Sequence, residues 1–158
     1  MIYFKLKNKK NFKNLDMKRL VFFIAVLFFS TSISYGQCDA AGKAAGCAPN
    51  PDSGYTLIKS FEVDGKGGAK EKIEYSYVFT KGTKYLVNVC GGAKTPDGVV
   101  VTLYDKYRNK VASNNVDGKV VPAISYPCSA TGIYYITYTF VESKDYCGGS
   151  TIGFKRAG

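Results

Sequence analysis

The sequence predicts an all-β protein: an antiparallel β-sandwich or jelly roll of seven to eight strands, preceded by a cleavable signal-peptide helix. Three observations lead there. After residue 36 no stretch sustains a helical repeat of apolar residues, whereas short runs with two-residue alternation recur. Turn residues separate those runs at regular spacing, as in sandwiches and barrels. Residues 20–29 form an unbroken apolar run flanked by Lys18 and Arg19, followed by small and polar residues from Ser30 to Gly36. This is the pattern of a secretory signal peptide, and the run is shorter than the roughly 20 residues a membrane span needs.

The expected cut lies between Gly36 and Gln37, with Ser34 and Gly36 as the small residues before it. A start at Met17 gives a signal peptide of ordinary length. A lipid anchor on Cys38 is not expected, because Tyr35 and Gln37 do not match the pattern that precedes a lipidated cysteine. Removing residues 1–36 takes away seven basic residues and one acid, leaving fifteen basic and eleven acidic residues, a net charge of +4 rather than +10. Along the chain the remaining charges are scattered singly, the mark of a solvated surface rather than a nucleic-acid interface.

Residues 37–54, rich in Ala, Gly and Pro, read as an irregular N-terminal segment, and 55–158 as the sandwich domain. The first strand is expected over 55–63, ended by Asp64-Gly65. Residues 72–79 alternate with Ile73, Tyr75, Tyr77 and Phe79 on one face. After Lys81-Gly82-Thr83, a strand over 85–90 places Tyr85, Val87 and Val89 in phase. Residues 98–104 are β-branched, with Val99, Val101 and Leu103 in phase, and 109–112 can pair with them as a hairpin. Pro122 makes 119–126 an edge strand or a strand start. Residues 133–141 are the strongest strand, with Tyr134, Ile136, Tyr138 and Phe140 on one face, and 150–156 close the domain.

The five cysteines, Cys38, Cys47, Cys90, Cys128 and Cys147, all follow the signal peptide and contain no CxxC pair. In an oxidising compartment they read as two disulfides and one free thiol. If every connection reverses the chain, Cys90 and Cys147 fall at one end of the fold and Cys128 at the other. The expected pairs are then Cys90–Cys147 and a local Cys38–Cys47 staple, with Cys128 free.

The middle of the chain resembles the bacterial pre-peptidase C-terminal domain, a secreted β-sandwich. The resemblance rests on Tyr77-Val78-Phe79-Thr80-Lys81-Gly82-Thr83-Lys84-Tyr85, on Asp97-Gly98 leading to Leu103-Tyr104-Asp105, and on Thr131-Gly132-Ile133-Tyr134-Tyr135-Ile136, within about residues 72–156. The chain is also similar to small secreted proteins of Gram-negative bacteria. The resemblance implies an accessory, non-catalytic module; such domains accompany secreted proteases, and some are similar to collagen- or polysaccharide-binding domains.

With no histidine, no Ser-His-Asp triad, Cys-His pair or His-ligated zinc can exist. The pairs Asp64-Gly65, Asp97-Gly98 and Asp117-Gly118 read as turns rather than calcium ligands, since no D-x-D-x-D-G loop is present. Adjacent Tyr134 and Tyr135 must point to opposite faces, so at least one leaves the core; they are the candidate ligand-surface residues. The expected function is an exported binding or accessory module, not an enzyme, without cofactor or metal. Its partner is an extracellular polysaccharide or protein rather than nucleic acid or membrane, and it is a monomer or a dimer linked through the spare cysteine. The alternatives are a cell-surface structural or assembly subunit and, less favoured, a small carboxylate-based hydrolase drawing on Glu62, Glu71, Glu74 and Glu142.

Overall fold

The eight long strands of the computed structural model are arranged as a jelly roll, and its description covers residues 38–91 and 97–156. The expected signal peptide, its Gly36–Gln37 cut and the alternative start at Met17 lie outside the described residues. In chain order the strands are β1 (Thr56–Asp64), β2 (Lys72–Phe79), β3 (Thr83–Cys90), β4 (Val99–Tyr104), β5 (Lys110–Ser113), β6 (Asn115–Val116), β7 (Lys119–Val120), β8 (Ala123–Pro127), β9 (Gly132–Phe140) and β10 (Cys147–Arg156). One sheet has the order β1-β10-β3-β8, the other β2-β9-β4-β5, and β6-β7 is a small hairpin between β5 and β8. Every pairing is antiparallel. Setting the hairpin aside, the two orders are those of two interlocked Greek keys.

The expected alternation places the core. Phe79, Tyr85, Val87, Val89, Val99, Val101, Leu103, Tyr134, Ile136 and Tyr138 are buried between the sheets. Aromatic rings fill one end. Phe79 stacks on Tyr85 at 3.9 Å between centroids and on Tyr134 at 4.9 Å, joining β2, β3 and β9. At the other end the Tyr138 hydroxyl donates to Ser150 Oγ (2.8 Å), which donates to the Asn88 carbonyl (2.7 Å), so each buried hydroxyl has a partner. Burial pushes the Tyr138 phenol well above its usual pKa.

Pro122 breaks the strand expected over 119–126 into β7 and β8, and β8 is an edge strand. Between β6 and β7 sits Asp117-Gly118, with φ of 51° and 80°. Two left-handed residues make the tight turn that matches the twist of a hairpin, and Asp-Gly supplies them at low cost.

The N-terminal segment departs from expectation. Residues Ala40–Ala45 form a helix, α1. Asp39 caps it by accepting from the Gly42 N–H at 2.9 Å, and alanine has the highest helix propensity. Six residues are too few for periodicity to register. This segment packs on the outer face of the β1-β10-β3-β8 sheet. Gly149 allows the approach, since a Cβ there would fall on the backbone of Ala44. The Cys47 carbonyl accepts from Asn88 Nδ2 (3.2 Å) and Thr151 Oγ1 (2.8 Å), which line the same face. As a result β10 is buried on both faces over its first seven residues.

The disulfides follow from that docking and correct the expected pairs. Cys38 joins Cys147, and Cys47 joins Cys90. Cys90 and Cys147 do lie at one end. Gly149 is the cross-strand partner of Cys90, and Cys147, two residues before it, shares its face. That is the outer face, so each cysteine meets the segment that covers it rather than the other. Cys38 and Cys47 flank a helix with a rise of about 9 Å, beyond the reach of a disulfide. Cys128 is free and buried at the opposite end.

Asn114 is wholly buried and ties three segments together. Its Oδ1 accepts from the Val101 N–H (2.8 Å), and its Nδ2 donates to the carbonyls of Val99 (3.1 Å) and Val121 (2.9 Å). Asn114→Ala strands these backbone groups and is expected to lower stability by on the order of 3 kcal/mol. Asn115→Ala, whose Oδ1 has no partner among the described residues, is expected to cost less than about 1 kcal/mol. Urea denaturation of both variants checks the contrast. Replacing Cys38 and Cys147 together by Ser opens a closure of 109 residues and is expected to lower stability by about 4–5 kcal/mol in the chain-entropy picture. Peptide mapping without reduction should recover the 38–147 and 47–90 pairs.

Candidate functional site

The two outer faces of the sandwich differ. The face of β1-β10-β3-β8 is covered at the disulfide end by the α1 segment. A shallow cleft of about 830 Å3 runs beside this cap, lined in part by Asp39, Lys43, Asn88 and Pro122. Its polar groups are already engaged: Lys43 Nζ donates to the Cys147 carbonyl at 3.2 Å, Asn88 donates to Cys47, and Asp39 caps α1.

The face of β2-β9-β4-β5 carries no such cap among the described residues, and the register sets its side chains in rows across the strands. One row is Glu74, Thr137, Thr102 and Ser113. The next is Ser76, Tyr135, Tyr104 and Lys110. Beyond it lie Val78 and Ile133, about half exposed at 57% and 48%. Alternation explains the composition. Every second residue of β2, β4 and β9 is apolar and points inward, which leaves Ser, Thr, Tyr and Glu pointing out.

Arg108 organises this face. It sits in the β4–β5 connection with φ of 68° and folds back across the sheet. Its guanidinium carbon lies 3.5 Å from the centre of the Tyr135 ring, and Nη1 donates to Glu74 Oε2 at 2.7 Å. Thr137 Oγ1 donates to the same oxygen at 3.0 Å. The Arg108 hydrogen bond holds the Glu74 carboxyl below its ordinary pKa, with Thr137 adding to it against the opposing effect of burial. Tyr135 is thus fixed in orientation by a cation on its face.

Of the two tyrosines named from sequence, the structure separates one from the other. Tyr135 stands on the open face. Tyr134 is 4% exposed and belongs to the core, which removes it as a surface residue. Strand alternation forces this split, and the inward position falls to Tyr134 because it shares the phase of Ile136 and Tyr138. Its hydroxyl donates to the Ala130 carbonyl at 3.0 Å. Burial first, then hydrogen bonding to Tyr126 and Cys128, raises its pKa strongly. Cys128 is 4% exposed, with Sγ 3.1 Å from the Ala130 carbonyl, so the expected thiol for a disulfide-linked dimer is not presented at the surface.

The four glutamates do not assemble. Glu62 is on β1 and Glu74 on β2, in different sheets, while Glu71 precedes β2 and Glu142 lies in the β9–β10 connection. Glu74 is held ionised, the opposite of the raised pKa that a general acid needs. Arg108 has no cue along the chain, because its partners stand 34 and 27 positions away; only the register brings them together.

No family model matches the chain, and no curated protein matches it. Among solved structures it is similar to the Aeromonas hydrophila PliG protein, a periplasmic inhibitor of g-type lysozyme, with 13% identity over 68% of this chain and 93% of that one and a TM-score of 0.41. It is also similar to the pre-peptidase C-terminal domain of collagenase from Bacillus anthracis, with 13% identity over 64% of this chain and 89% of that one and a TM-score of 0.42. The second is the kind of domain that the sequence motifs resemble.

The Glu74–Arg108 pair makes stability depend on acid. Because the folded pKa of Glu74 is depressed, its contribution is complete above the ordinary glutamate value of 4.5 and is lost as pH falls below it. Glu74→Gln is therefore expected to lower stability at pH 7 and to make the decline below pH 4.5 shallower. Thermal melts of both proteins from pH 7 to pH 3 check this.

Proposed function

We propose that this is an exported, non-catalytic binding module that holds its ligand on the open face of β2-β9-β4-β5. The observation that carries the reading is the asymmetry of the sandwich. One face is covered at its disulfide end by a disulfide-stapled segment. The other presents Ser76, Thr102, Tyr104 and Tyr135 around a fixed arginine. Hydroxyls with spare hydrogen-bonding capacity beside an oriented aromatic ring suit a polysaccharide or the polar surface of an extracellular protein. Two disulfides belong to an oxidising compartment, in keeping with export to the periplasm or beyond. Among the described residues no helix is long and apolar enough to cross a membrane.

The alternative of a cell-surface assembly subunit drew on the spare cysteine, and the burial of Cys128 weakens it. The hydrolase reading lacks a converging pair of acids among the described residues.

The test is retention of the purified exported protein on insoluble polysaccharides, peptidoglycan and collagen. Retention on one of them is expected to fall at least tenfold in Tyr135→Ala, with the melting temperature lowered by only a few degrees. A variant on the capped sheet, Ser125→Ala, should bind as the parent does. Equal losses in both variants, or none in either, would place the ligand elsewhere.

A further inference from the structure

The charges that are scattered along the chain are not scattered in space. In a jelly roll of antiparallel strands, connections alternate between the two ends, so every second connection falls at the same end. The β2–β3, β4–β5 and β8–β9 connections, the start of β1 and the end of β10 all lie opposite the disulfides. Seven of the fifteen basic residues in 37–158 gather at this end, against two of the eleven acids, Asp52 and Asp105. The end carries a net +5, and the rest of the mature chain carries −1.

The basic residues are spread in an arc over both sheets at this end. Lys84 and Lys155 are direct cross-strand partners on β3 and β10. Arg156, next in the chain, pairs in register with Thr83 and lines a cleft of about 360 Å3 with Tyr77, Tyr85 and Phe154. The Lys81 N–H bonds Thr131 Oγ1 in the neighbouring β8–β9 connection, and the Lys106 side chain lies against Gly132 beside it. Arg108 and Lys110 continue the arc onto the open face at Tyr135 and Tyr104. Asp105 offsets one of these charges, as the net +5 already counts. Burial pushes its carboxyl up, but bonds from the Asn109 side chain, the Asn109 N–H and the Tyr107 N–H outweigh this and engage both oxygens.

Two features point to a ligand rather than to solubility alone. Like charges directly opposite on neighbouring strands, as in Lys84 and Lys155, destabilise a sheet unless a counter-charge joins them. And tyrosines interleave with the cations. Lys155 lies 4.6 Å from the Tyr55 ring, Lys106 4.8 Å from the ring of Tyr107, which is 72% exposed, and Arg108 3.5 Å from that of Tyr135.

We infer that this end and the adjoining open face bind an anionic polysaccharide, a chain of sugar rings bearing carboxylate or sulfate groups. The inference rests on the binding-module reading and names its ligand class. The cations are strung along an arc instead of converging on one pocket, which fits repeated charges on an extended chain. The rings between them offer flat faces to sugar C–H groups. A protein with disulfides works outside the cytoplasm, where acidic glycans are met more readily than nucleic acid.

The experiment is retention of the exported protein on alginate, polygalacturonate and heparin beads, with neutral cellulose and chitin, single-stranded DNA and anionic lipid vesicles as comparison arms. Binding to an acidic glycan is expected, weakening steeply between 50 mM and 500 mM salt. The variant K81S/K84S/K106S/K155S is expected to bind at least tenfold more weakly. K66S/K70S/K72S, at the disulfide end, should bind within twofold of the parent, although its net charge falls by a similar amount. Equal losses in the two variants would overturn the inference by showing a net-charge effect. Tighter binding to DNA or vesicles than to any acidic glycan would overturn the choice of ligand. Retention only on a neutral matrix would overturn this inference and leave the binding-module reading standing; retention on no arm and on no matrix would remove both.

Discussion

The close approach of the α1 segment to β10 is the contact on which the rest of the arrangement depends. It needs a strand position without a side chain at Gly149, a helix short enough to lie across three strands, and polar groups on the sheet that can meet the segment's backbone. Asn88 and Thr151 supply the last of these by bonding the Cys47 carbonyl. Once the segment is seated, Cys38 and Cys47 stand over Cys147 and Cys90, and the disulfides lock a contact that packing has already selected. The two bridges span 109 and 43 residues, so they tie the start of the folded domain to the far side of its sequence.

That contact also decides which surface is left for recognition. A sandwich has two outer faces and two ends. Here one face and one end are occupied by the capping segment and its disulfides. The open face and the opposite end remain, and they adjoin one another through the β4–β5 connection. Arg108 belongs to both: it arises from the connection at the basic end and lies on Tyr135 and Glu74 of the face. The Glu74 side chain, which reads as a lone polar residue of β2, therefore has a positional role, anchoring the guanidinium that orients the ring.

How far this could be read from the sequence depended on the range of the interactions. Strand phase is local, and the inward residues of β2, β3, β4 and β9 follow from alternation. Turn chemistry is local too, as Asp117-Gly118 illustrates, and the resemblance to pre-peptidase C-terminal domains rests on such turn-and-strand units. The helix Ala40–Ala45 within residues 37–54 is not legible because six residues leave no period, and its clues, the Asp39 cap and the run of alanines, are easily taken for a loop. The disulfide pairing failed for a different reason. The end of the fold at which each cysteine lies could be inferred by counting reversals, but the face could not, because nothing in the sequence says that residues 38–49 return to cover β3 and β10. Likewise Tyr134 and Tyr135 could be assigned to opposite faces, and the shared phase with Ile136 and Tyr138 would have sent Tyr134 inward.

The charge distribution is the clearest case of information that is present in the sequence and invisible without topology. Lys81, Lys106, Arg108 and Lys155 are separated by up to 74 positions, and each looks like an ordinary solvated residue. Alternating connections convert this spacing into proximity, because residues in the second, fourth and sixth intervals between long strands must share an end with the close of the last strand. The same rule places Asp64, Asp97, Asp117 and Asp145 at the other end, beside the disulfides. A modest net charge over residues 37–158 is thus compatible with a strongly polarised molecule. The relevant quantity for recognition is the local excess within about a Debye length, some 8–10 Å at physiological salt, rather than the total. In the proposed binding role, a sandwich with a rigid, stapled end and a basic, tyrosine-lined one would be oriented by an extended anion before short-range contacts on the open face select among ligands.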